Sequence, residues 1–70
     1  MKLILTKHAK QRMFERDINI HEIKDAIEFP DYTIVKGNKI EAYKKLKDKN
    51  LKIVYTKKDK LIKIITLILK

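Results

Sequence analysis

The sequence predicts an α+β domain in which two N-terminal helices pack on one face of a four-stranded antiparallel meander sheet. Three observations carry that prediction. Apolar residues recur at helical spacing as far as Pro30, and beyond it give way to β-branched and aromatic runs. Short polar connections separate those later runs, and short connections suit antiparallel neighbours. The charge divides at nearly the same place. Residues 1–35 carry six Lys or Arg against six Asp or Glu, whereas residues 36–70 carry twelve against Glu41, Asp48 and Asp59, which leaves the whole net charge of +9 there.

Taken in order, Lys2 to Leu5 reads either as a short strand or as an apolar lead-in. Thr6 is an N-cap for a helix over Lys7 to Arg16, because its hydroxyl accepts from an otherwise orphaned backbone N–H. Asp17 ends that helix. Asn19 caps the next, with Glu22 at the spacing of a capping box. Ile20, Ile23 and Ile27, with Ala26 beside them, give the second helix an apolar seam, and Pro30 stops it. Tyr32-Thr33-Ile34-Val35 is the first strand of the meander, and Gly37-Asn38 signals a hairpin. Ile40 to Leu46, Leu51 to Thr56 and Leu61 to Leu69 follow as strands. Their polar turns are Lys47 to Asn50 and Lys57 to Lys60. The last strand is apolar on both faces, which places it inside the sheet or beneath the helices.

Seventy residues are expected to form one domain, 1–70, with a core of marginal size. The absence of cysteine excludes disulfides and thiolate metal sites. Two histidines, His8 and His21, offer no ligand spacing, and one glycine cannot build a phosphate loop, so neither a metal nor a cofactor is expected. The longest apolar run, Ile64 to Leu69, is broken by Thr66 and falls far short of the ~20 residues that a membrane helix needs. Lys7, His8 and Lys10 interrupt the apolar start too early for an export signal, so a cytoplasmic location is expected. The cationic half is the footprint of a protein that meets a polyanion, RNA first among them, with Lys44, Lys45, Lys52 and Lys63 on the strands as candidate contacts. The competing reading is a lysine surface that merely holds water.

One constellation stands out in the neutral half. His8, Arg12 and Arg16 follow at i, i+4 and i+8, drifting only about 40° per step on a helix, so they form one stripe. It borders Ala9 and Met13, which are expected to face the sheet. Arg12 and Arg16 are the only arginines against sixteen lysines. Choosing arginine where lysine is the default cation points to a use for its planar, bidentate fork. The alternative is ion pairing to Glu15, Asp17 or the second helix.

Thr6-Lys7-His8-Ala9, Arg12-Met13 and Arg16-Asp17-Ile18-Asn19 together resemble the opening of the domain of unknown function 4258 family. Leu51-Lys52-Ile53-Val54-Tyr55 and Ile64-Ile65-Thr66 resemble its later strands, so the likeness runs through nearly the whole chain. Asp17 departs from the glycine usual at the helix end, which should change the local turn. The family has been grouped with the RelE-type toxins among small metal-independent ribonucleases, so the resemblance implies a RelE-like fold. Such cleavage needs a base for the ribose 2′-hydroxyl, an acid for the leaving oxygen and cations for the charged phosphorane. His8 is then a candidate acid or base, Arg12 and Arg16 a phosphate clamp, and Tyr55 and Thr66 hydroxyl donors. Tyr55 also reads as a buried core ring, Thr66 as an ordinary strand residue, and His21 as structural. The expectation is a toxin-like, metal-independent endoribonuclease acting on RNA, on the ribosome or free, with an antitoxin protein or a second copy of itself as partner. The rivals are a non-catalytic RNA- or ribosome-binding module and a small protein–protein interaction domain.

Overall fold

A computed structural model describes residues 2–70. The elements run β1 (Lys2–Leu5), α1 (Lys7–Glu15), α2 (Ile20–Glu28), β2 (Tyr32–Lys36), β3 (Lys39–Lys45), β4 (Asn50–Lys58) and β5 (Leu61–Leu69). Both helices begin at the expected caps. The Thr6 hydroxyl accepts from Ala9 N–H at 3.1 Å. At Asn19 the capping box is complete, since Glu22 N–H donates to the Asn19 side chain and Asn19 N–H donates to the Glu22 carboxylate.

The sheet corrects the expected four-stranded antiparallel meander. It has five strands in the order β1-β5-β4-β3-β2 and is mixed, because β1 pairs parallel to β5 from Lys2↔Leu61 to Leu5↔Ile64. The reason lies in β5. A long strand whose core side is wholly apolar (Ile62, Ile64, Leu67 and Leu69) is poorly suited to a bare edge, and β1 supplies the missing neighbour. The meander β2-β3-β4-β5 is antiparallel throughout. Its first turn is the two-residue Gly37-Asn38 loop, where Gly37 takes φ 61°. Asp59, in the loop between β4 and β5, takes φ 56°.

Residues of one strand alternate between faces, so the register sorts the sheet into two sides. One side carries Leu3, Leu5, Ala42, Leu51, Ile53, Tyr55, Ile62, Ile64 and Leu67, which form the core with Ala9 and Ile18 and with Ile23 and Ala26 of α2. Helix α1 lies on β5 and β1, and α2 on β3 and β4. No helix covers β2, and all five of its residues are exposed. Near the middle of the β4–β5 pair the register shifts: Val54 faces Thr66 while Tyr55 faces Ile64. The extra residue, Ile65, forms a bulge whose carbonyl accepts from the Thr6 hydroxyl at 2.9 Å. One side chain thus starts α1 and ties it to the sheet.

Candidate nucleic-acid interface

The second side of the sheet carries no helix. By register it presents Lys2 and Ile4 from β1, then Lys63, Thr66 and Ile68 from β5. From β4 come Lys52, Val54, Thr56 and Lys58, from β3 Lys39, Glu41, Tyr43 and Lys45, and from β2 Tyr32, Ile34 and Lys36. Seven of these residues are lysines and one is a carboxylate. Hairpin pairing and strand alternation therefore gather much of the cationic half of the sequence on one open face.

Glu41 is the exception and is nearly enclosed, with 8% of its surface exposed. Its carboxylate accepts from the Tyr43 hydroxyl at 2.9 Å and lies 3.4 Å from the Lys52 ammonium and 3.6 Å from that of Lys36. The Tyr43 hydrogen bond, aided by the charges of Lys36 and Lys52, outweighs desolvation and holds the carboxyl below its ordinary value. Burial works against the Lys52 charge, but Tyr43 and Glu41 outweigh it and raise the ammonium above its ordinary value. At pH 7 the cluster is one anion between two cations.

Tyr43 also belongs to an aromatic row. Tyr32, Tyr43 and Lys52 face one another across β2, β3 and β4. The two rings stack with centroids 4.5 Å apart and planes 11° from parallel, and the Lys52 ammonium sits 5.6 Å from the Tyr43 centroid. Beside the row lies a cleft of 380 Å³ lined by Tyr32, Tyr43, Asn50, Leu51, Lys52 and Lys70. A larger groove of 760 Å³ lies by the helices, lined mainly by Leu5, Met13, Phe14, Ile18 and Ile20, and is mostly apolar.

The structure does not bring the five candidate catalytic residues together. His8 and Arg12 stand on α1, and Arg16 is its C-cap, all in the helix layer. His8 and Arg16 are exposed, while Arg12 is half-buried and reaches Glu15 at 3.9 Å. Tyr55 points into the core beneath the helices, where burial pushes its phenol pKa up and keeps it protonated. Thr66 faces Val54 on the open side, so the sheet itself separates it from Tyr55. His21 stands on α2 and is exposed. Among the candidate RNA contacts, Lys45, Lys52 and Lys63 share the open face. Lys44 turns to the helix side and donates to the Phe29 carbonyl at 2.7 Å, at the end of α2, where a cation suits the helix dipole.

Sequence reasoning missed Tyr32, Lys36, Glu41 and Tyr43. The signal was present, because counting outward from a two-residue Gly37-Asn38 turn pairs Ile34 with Glu41 and Tyr32 with Tyr43. Among the described residues, no three His, Cys, Asp or Glu side chains gather as a metal site would, and no helix is long and apolar enough to cross a membrane.

These features define a class: a small α+β domain with helices on one face of a mixed sheet and lysines on the other. The family profile described as "Domain of unknown function (DUF4258)" matches residues 5–68, and the chain belongs to that family. No curated protein and no solved structure matches the chain significantly.

Proposed function

We propose that this domain binds RNA across the open face of its sheet. The observation that carries the reading is the composition of that face, where Lys2, Lys36, Lys39, Lys45, Lys52, Lys58 and Lys63 surround the single carboxylate of Glu41. Such a surface neutralises phosphates and releases their counterions. The grouping of the family with RelE-type ribonucleases, an implication of the sequence resemblance, would favour RNA over other polyanions. The test is affinity for an RNA oligonucleotide as a function of salt. Log affinity falls with log salt by about 0.7 for each phosphate contacted on a single strand. Lys45→Ala and Lys63→Ala, both exposed, each lower the slope by about that increment. A flat salt dependence overturns the proposal.

One observation favours a second reading, metal-independent cleavage by a toxin-like endoribonuclease. Glu41, held charged between Lys36 and Lys52, would take a 2′-hydroxyl proton only where RNA displaces a partner from it, with the Tyr43 hydroxyl beside it to give a proton to the leaving 5′-oxygen and the two cations to face a phosphorane. The His8-Arg12-Arg16 stripe belongs to the helix layer, so cleavage on the open face would draw on Glu41 rather than on the stripe. RNA incubated with the protein in EDTA decides it. Fragments ending in 2′,3′-cyclic phosphate, lost in Glu41→Gln, support cleavage on the open face, and loss in His8→Ala instead returns the chemistry to the stripe. Intact RNA leaves binding alone.

A further inference from the structure

We infer that the Tyr32–Tyr43 stack is a landing platform for one unpaired nucleobase, which makes the ligand of the open face single-stranded RNA. This rests on the RNA-binding reading and names the substrate class for it. The two rings are already nearly parallel at 4.5 Å. One side of Tyr43 is taken by Tyr32, and the Lys52 ammonium sits over the ring at 5.6 Å. The ring face that remains is the one Tyr32 turns away from Tyr43. No strand lies beyond it, because β2 is the edge of the sheet, and Tyr32 is 57% exposed. A base arriving there extends an existing stack and orders no loop. Base–aromatic stacking contributes about 1–3 kcal/mol per base and tolerates any sequence, since every base has a π-face.

The surroundings suit a nucleotide rather than a bare aromatic. Lys45 stands two residues along β3 from Tyr43 on the same face, about 7 Å away, within reach of a phosphate beside the stacked base. Asn50, Lys52 and Lys70 line the cleft next to the rings and supply an amide and two ammonium groups. A duplex covers both π-faces of every internal base, so it meets the lysines and leaves the stack unused. The platform therefore separates single strands from duplexes where the lysines alone do not.

The competing explanation is a cross-strand pair that only holds β2 in place. The sequence contains no tryptophan, so Tyr32→Trp introduces a single indole reporter that keeps the stack. Its fluorescence is expected to be quenched on titration with a single-stranded RNA oligonucleotide and unchanged by a duplex of the same length at saturation. Tyr32→Ala is expected to weaken single-strand binding by about tenfold or more while leaving duplex affinity near the wild-type value. Tyr32→Phe, which keeps the π-face, restores single-strand affinity and guards against a folding defect in the alanine variant. Equal quenching by both RNAs, or a well-folded Tyr32→Ala that binds single strands like the wild type, overturns the platform. If Lys45→Ala and Lys63→Ala still weaken binding in that case, the RNA-binding reading stands without it. Absence of binding by the wild type overturns both.

Discussion

Asp17 occupies the one backbone position where helix α1 asks for a left-handed residue. With Arg16 as C-cap, Ile18 N–H donates to Met13 carbonyl at 3.0 Å and Asp17 N–H to Phe14 carbonyl at 3.4 Å, the paired bonds of a Schellman motif. That motif needs φ near +60° at its turning residue, and Asp17 adopts φ 54°. The turn is therefore the one a glycine would make, and an aspartate in that position changes its energy rather than its shape. Asp17→Gly relieves the Cβ crowding and is expected to raise the unfolding free energy by about 1 kcal/mol. For a domain of this size, that is a rise of about 4–8 °C in the thermal midpoint. An unchanged or lower midpoint would show that the Asp17 carboxylate contributes as much as the strain costs.

Among the elements, α1 depends most on a single joint. Thr6 donates to the carbonyl of the bulged Ile65 and accepts from Ala9 N–H, so its hydroxyl serves both the helix and the sheet. Thr6→Val keeps the shape and removes both bonds. The expected loss is about 1–2 kcal/mol, read as a lower denaturation midpoint with an unchanged m-value. A loss below about 0.5 kcal/mol would mean that packing of Ala9 and Met13 alone seats the helix. The caps, the hairpin and the four meander strands were legible because each is written locally: Thr6, Asn19 with Glu22, Gly37-Asn38, and strand runs between polar turns. Strand β1 was legible only as one of two alternatives and not as a member of the sheet, since four residues show no period and its partner lies at the far end of the sequence. The open-face cluster was legible in principle, given the hairpin register, but it required choosing which side the helices would cover. Charge and arginine usage drew attention to α1, whereas Tyr32, Glu41 and Tyr43 carry no motif and acquire meaning only when strand alternation stacks them on one face.

At the scale of the whole molecule, the sheet divides labour between its sides. The helix side supplies the buried side chains, including Leu51, Ile53, Ile64 and Leu67, each at most 1% exposed. On the other side Lys45 and Lys63 stay exposed, while Lys52 is partly desolvated and is held charged by Glu41 and Tyr43. The like charges repel one another across that face. Seven lysines against Glu41 put +6 of the net +9 on the face that carries no helix.

The parallel pairing of β1 with β5 also sets the order in which the chain closes. β2, β3, β4 and β5 find one another through short turns, whereas β1 must wait until Leu61 to Ile64 are in place. Closing so long a loop costs entropy before any contact returns it, so the first strand is expected to dock after the main barrier has been crossed. Leu3→Ala, which trims a side chain packed against the core, is expected to speed unfolding and leave the refolding rate nearly unchanged, a φ-value near zero by stopped-flow mixing. Slowed refolding would place β1 in the nucleus instead. Until β1 pairs with it, β5 would stand as a nine-residue edge whose core side is wholly apolar, and the docking of β1 would shield that edge from pairing with another chain.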